Sequence, residues 1–253
     1  MVSFRLFGIP VTVRPSFLLI AALLGFNSGS VARIFIWIGV VFVSIVVHEL
    51  GHALTARSFG SDVEIELNAI GGLTSWTLDP AEMGPGRRAL VAGAGSAVGL
   101  LFGGLVWLGA IATGPHGGDL GYTLTIVIWV NVFWGVLNWL PIRPLDGGHL
   151  LLALLEKTMP ARREIVARYV FIVTAAAGTF FALRFGFLFA ALLSGWLLVS
   201  ELFAGSGTEE AVGLPQMTFD DEPGAEGDEG SRLAREEGSG LADDEATETE
   251  PTE

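Results

Sequence analysis

From Ile34 to Ala56 the chain is a mainly apolar run whose only ionisable residues are His48, Glu49 and His52, and Arg33 and Arg57 close the run at either end. At about 1.5 Å of rise per residue this stretch makes a helix of roughly 34 Å, enough to cross a bilayer. Ionisable groups inside such a helix are costly unless they face a polar cavity or bind something. His48 and His52 are four positions apart, so both imidazoles lie on one helix face and can share one zinc ion. Glu49 then sits beside the metal, placed to take a proton from a water held there. The bland alternative is a histidine pair capping polar contacts between packed helices. Nothing polar in the neighbouring sequence calls for such a cap, so a metal site is the expected reading.

Charge divides the chain. The formal net charge is −13, yet residues 206–253 hold sixteen acids against two arginines, and the remainder holds eleven acids against twelve bases. A nearly neutral, hydrophobic body, residues 1–204, is expected to carry an acidic tail, residues 205–253. The tail is rich in Gly, Glu, Asp, Thr and Ser and is read as disordered. There is no cysteine, so a disulfide framework and a thiolate metal site are both excluded, and any metal must be held by His and carboxylate. With this charge balance no nucleic-acid partner is expected; the bilayer itself is.

Residues Val2 to Val13 alternate roughly and are punctuated by Gly8 and Pro10, which predicts one or two short strands at the membrane face. The stretch lacks the basic start and small-residue cleavage site of a secretory signal. Ser16 to Phe26 is apolar but short; counted back through Val11 to Val13 it predicts a first span, with Pro15 blurring its start. Ser61 to Leu67 alternates strictly and continues to Trp76, predicting a hairpin that turns near Gly71-Gly72. A third span, Ala89 to Ala112, is dense in Ala and Gly and should pack at the centre of a bundle. Further spans are expected from Leu120 to Leu140, Ile165 to Leu183 and Phe185 to Phe203. The expected fold is an α-helical polytopic membrane protein with about six transmembrane helices and short membrane-associated strands near the His pair.

The fourth span leads into Asn138-Trp139-Leu140-Pro141-Ile142-Arg143-Pro144-Leu145-Asp146-Gly147-Gly148-His149. Two prolines and a Gly pair stop regular helix here, and irregular backbone at membrane depth is tolerated only when buried in protein or lining a wet cavity. Asp146 is then a candidate carboxylate to complete a His-His-carboxylate set with an open fourth position. An ordinary Asp-Gly-Gly turn is the alternative. His149 is the rival ligand and His116, in the loop Thr113 to Asp119, a weaker one.

His48-Glu49-Leu50-Gly51-His52 together with Asn138-x-x-Pro141-x-x-Pro144-Leu145-Asp146-Gly147-Gly148 resembles the site-2 protease family of intramembrane zinc metalloproteases, across about residues 1 to 204. The resemblance implies that His48, His52 and Asp146 hold one zinc ion per chain. It implies that Glu49 activates water and that Asn138 helps bind the substrate peptide or stabilise the oxyanion. It also implies a strand-like element beside the active site, where the Gly71-Gly72 hairpin falls, and this would be a minimal form with no PDZ-like or other soluble module. The central helix departs from the family pattern. Many members have Ala-Gly-Pro there and an Asn three residues later, whereas this chain has Ala92-Gly93-Ala94 and Ala97.

The expected activity is hydrolysis of a peptide bond in or near a transmembrane segment of another membrane protein, as in regulated intramembrane proteolysis. A non-catalytic zinc-binding or scaffold protein of the same fold is the alternative, but metal binding alone does not require Glu49. A zinc transporter would need polar residues along several spans. With six spans and the N-terminus inside, ten of the twelve body cations fall on the cytoplasmic side, and only Arg33 and Arg184 fall outside. That bias predicts cytoplasmic termini and an active site toward the cytoplasm.

Overall fold

The structure, a computed structural model, describes residues 1–203; the expected boundary at 204/205 and the acidic segment lie outside the described residues. Four strands precede or interrupt the helices: β1 (Val2–Leu6), β2 (Ile9–Val13), β3 (Val63–Asn68) and β4 (Gly71–Trp76). The helices are α1 (Pro15–Leu24), α2 (Val31–Ser58), α3 (Pro80–Thr113), α4 (Gly118–Asn138), α5 (Asp146–Thr158), α6 (Arg163–Arg184) and α7 (Leu188–Phe203).

The strands form one sheet in the order β1-β2-β3-β4. β1 and β2 are antiparallel, with Leu6 opposite Ile9 across a two-residue turn at Phe7 (φ 52°) and Gly8 (φ 81°). Both dihedrals lie in the left-handed region, as the mirror-image hairpin turns require. β2 and β3 run parallel, Val11 opposite Ile65. Parallel neighbours need a crossover, and α1 and α2 supply it. The alternation in β2 buries Ile9, Val11 and Val13, which pack with Ile65 and Leu67 on Val46, Leu50 and Ala53 of α2. The sheet is thus seated on the turn of α2 that carries the His pair. Arg14, at the end of β2, reaches Glu66 of β3 at 2.7 Å, and the guanidinium holds that carboxyl below the usual range.

The hairpin differs in detail from the expectation. β3 and β4 pair with Asn68 opposite Gly71, so Ala69 and Ile70 make the turn and Gly71-Gly72 begin the strand. No other strand among the described residues covers the outer edge of β4.

Four helices are long and apolar enough to cross a membrane: α2, α3 from Glu82, α4, and α6 with the turn before it from Pro160. α1 and α7 are apolar but only 10 and 16 residues long, against the ~20 that a bilayer core requires. Val11 to Val13 do not extend the first helix because β2 uses them, and Pro15 opens α1 in the first-turn position that proline favours. Gly186 (φ 75°) turns the chain before α7 and shortens the sixth apolar stretch. α3 is broken at Gly84 (φ 68°), just before Pro85, and runs as regular helix from there.

α3 packs against α2, α4 and α5, the central position its small residues predict. The approach to α2 is close: a methyl on Gly51 would lie 2.7 Å from the Ala94 carbonyl oxygen. α5 is tied to its neighbours through Glu156, which bonds Arg88 of α3 at 2.5 Å and Arg163 of α6 at 2.7 Å. Between α4 and α5, Arg143 donates to Glu201 of α7 at 2.7 Å and lies over the Phe171 ring.

Candidate metal centre

The irregular stretch after α4 exists because helix cannot continue through Pro141 and Pro144. It folds back tightly on the first turn of α5. A side chain at Gly147 would meet the Trp139 carbonyl, and one at Gly148 the Ile142 carbonyl. Only glycine permits that approach. The helix does not break at Asp146; the break lies before it, and Asp146 is the first residue of α5, at the positive end of the helix dipole.

That placement brings Asp146 to the His pair. Nε2 of His48 and Nε2 of His52 are 3.2 Å apart. Asp146 Oδ2 is 3.4 Å from His48 Nε2, and its Oδ1 is 3.3 Å from His52 Nε2. A tetrahedral zinc ion with bonds of about 2.0–2.1 Å sets neighbouring ligand atoms roughly 3.3–3.4 Å apart. The three residues suit the metal in donor chemistry and lie at contact distances of that size, a different Asp146 oxygen facing each histidine, and they are the metal-capable His/Asp/Glu group among the described residues. Both histidines are 7% exposed. Lone pairs converging at such depth are unfavourable unless a cation sits among them.

Each donor is oriented by a further bond. The His52 Nδ1 lies 2.7 Å from the Val91 carbonyl oxygen, so Nδ1 carries the proton and Nε2 is left as the donor atom. Ser96 donates to Asp146 Oδ2 at 2.8 Å. Ser96 thus supplies a polar contact one residue before Ala97, where the sequence departs from the family pattern, and the helix stays regular through Ala92 to Ala97. It was findable as the one hydroxyl in the Ala89 to Ala112 run. Gly95 faces the His52 ring so closely that a Cβ would overlap it.

Glu49 is 6% exposed and points to β4. Thr74 donates to its Oε2 at 2.7 Å, and a Cβ on Gly72 would overlap the carboxylate. Asn138, the last residue of α4, is 7% exposed, with Nδ2 3.4 Å from His48 Nε2. His149 is exposed on α5 and outside the cluster. His116 lies away in its loop, beside Thr113.

The description "Peptidase family M50" matches residues 115–178, the stretch holding Asn138 and Asp146. A Synechocystis sp. protein with a provisional zinc metalloprotease name is 32% identical over 236 residues, 84% of this chain and 60% of that protein. The solved structure of a site-2 protease from Methanocaldococcus jannaschii matches with a TM-score of 0.56 and 25% identity, covering 79% of this chain and 93% of that one. This chain belongs to the site-2 protease family. A zinc metalloprotease of the same archaeon is 33% identical over 61% of this chain and 45% of its own length, so the chain spans about half the length of the curated relatives it matches. The α2 motif lies outside the matched stretch 115–178, and the fold joins the two. With four apolar helices of spanning length, this site-2 protease family member is a multi-pass membrane protein.

Proposed function

We propose that the protein is an intramembrane zinc metalloprotease that hydrolyses a peptide bond in or near a transmembrane segment of another membrane protein. The observation that carries this reading is the metal-sized triangle of His48, His52 and Asp146 with Glu49 held beside an open strand edge. Those three residues would hold one zinc ion. Bound zinc supplies Lewis acidity, polarising the scissile carbonyl and acidifying a water.

The chain's own residues do the rest. Glu49 takes a proton from the attacking water as its oxygen bonds to the carbonyl carbon. The same carboxyl returns that proton to the departing amine nitrogen as the carbon–nitrogen bond breaks. Asn138 offers an amide N–H beside His48, suited to the oxygen of the attacked carbonyl. A helical substrate hides its carbonyls in hydrogen bonds, so it must unwind locally. Pairing with the outer edge of β4 stabilises the extended form. The basic residues at the Arg57 end of α2 support a topology with this centre toward the cytoplasm.

The test is cleavage of candidate single-span substrates by purified wild-type and Glu49→Gln protein. Wild-type cleavage that Glu49→Gln loses, with zinc retained in both, supports the protease. Equal behaviour of the two would favour a metal-binding scaffold.

A further inference from the structure

A cavity of about 320 Å³ opens beside the metal centre, bounded by α1, α2, α4 and the β3–β4 turn, with His48 and Gly71 both in its wall. Its lining is mainly apolar and includes Phe17, Trp37 and Trp129. Asn131 of α4 is a polar exception, only 3% exposed. Its Nδ2 donates to Ser44 Oγ and to the Val127 carbonyl oxygen, both at 2.8 Å. Those two bonds use both amide hydrogens, and the carbonyl of Val127 can only accept, so the amide cannot be reversed without setting oxygen against oxygen. The Asn131 Oδ1 therefore looks toward Gly99, where a Cβ would sit 3.8 Å from it, and no donor among the described residues bonds to it. Asn131 Oδ1 is not among the fully buried unpaired side-chain atoms, so it is open to the cavity it lines, where an incoming donor can reach it. Ser44, the residue that holds the amide, stands one helical turn before His48 on the same face.

We propose that this cavity receives an unwound apolar segment of the substrate and that Asn131 Oδ1 accepts one of its backbone N–H groups. The inference rests on the protease reading above and names the part of the substrate this wall binds. The occupant must bring apolar bulk and one free donor. A lipid acyl chain has no donor, and an intact helix spends its N–H groups internally. An extended peptide has both. Its position is continuous with the chemistry: a strand laid on the β4 edge passes Glu49 at Gly72 and enters the cavity at Gly71. Side chains alternate along such a strand, so every second one faces the apolar wall. The volume is at the lower end of the ~300–1,000 Å³ typical of small-molecule sites, room for a few side chains and not for a whole helix.

The experiment uses full-length, zinc-loaded protein and synthetic single-span substrates in which one backbone amide at a time is replaced by an ester. In the wild type, one ester position away from the scissile bond should lower kcat/KM about 3- to 10-fold, mostly through KM, the loss of one hydrogen bond. In Asn131→Leu all substrates should be cleaved more slowly by a similar factor, and that position should no longer matter. Gly99→Val, which sets methyl groups before Oδ1 and leaves the other Asn131 bonds intact, should reproduce the effect with metal content and Tm unchanged. Cleavage with the same ester profile in wild type and both variants would overturn the inference and favour lipid in the cavity. Absence of any Glu49-dependent cleavage in the wild type would overturn the protease reading and this inference with it.

Discussion

Thr74 Oγ1 donates a 2.7 Å hydrogen bond to Glu49 Oε2, so a strand side chain fixes the carboxylate carried by the metal helix. The same hydroxyl lies 3.2 Å from the Glu49 main-chain oxygen. A hydrogen bond to a charged group contributes about 1.5–3 kcal/mol. Thr74→Val, which keeps the shape and removes the donor, should lower kcat roughly 10- to 100-fold with zinc content unchanged. Thr74→Ser should restore most of it. Equal kcat for the Val and Ser variants would show that the hydroxyl does not position Glu49.

Glu49 itself gives the sharpest separation of binding from turnover. It is outside the triangle of metal-capable atoms, so Glu49→Gln should bind zinc as the wild type does. Loss of a general base costs on the order of 10²–10⁴ in rate. The check is metal per purified chain beside the single-turnover cleavage rate. Wild-type-like proteolysis by this variant would refute the proposed base.

What the sequence could show follows from how local each determinant is. The His48/His52 spacing is a property of one helix, and the prolines before Asp146 announce irregular backbone wherever the segment lies; both were legible. The central place of α3 was legible because Gly and Ala permit close approach and do little else. The contacts made across elements were not legible. Thr74 reaches Glu49 across 25 positions and Ser96 reaches Asp146 across 50, and no period or spacing marks such pairs. The first apolar stretch misled because Val11 and Val13 serve equally in a strand or a helix. The parallel partner Ile65, far along the chain, decides for β2.

Asp146 is expected to be the third ligand, with His149 outside the site. Asp146→Ala should strip zinc and abolish cleavage, whereas His149→Ala, altering an exposed side chain, should leave most of the metal bound. Ser96→Ala removes the bond that orients the Asp146 carboxylate and should weaken zinc affinity about 10- to 100-fold, the usual effect of losing an outer-sphere partner. Competition with a chelator measures all three. Retention of zinc by Asp146→Ala together with its loss from His149→Ala would reverse the assignment.

Gly72 tests whether the strand edge and the metal helix act as one unit. Its φ is unremarkable, so the demand for glycine here comes from space and not from backbone conformation: an added Cβ would lie 2.5 Å from Glu49 Cγ and overlap the carboxylate. β4 is held to β3 through Leu67 opposite Gly72, and α2 is held by the buried face of the sheet. Neither backbone can yield freely, so the Glu49 side chain must turn away or the strand must lift. Either movement displaces the base from the reacting bond, and a misplacement of about 1 Å can cost on the order of 10² in rate. Gly72→Ala should therefore cleave at about 1% of the wild-type rate while His48, His52 and Asp146 keep their zinc. Metal content and cleavage rate are measured together on the same preparation. Full activity in Gly72→Ala would mean that β4 is free to move away from Glu49, and the strand could not then be the template on which the substrate is held.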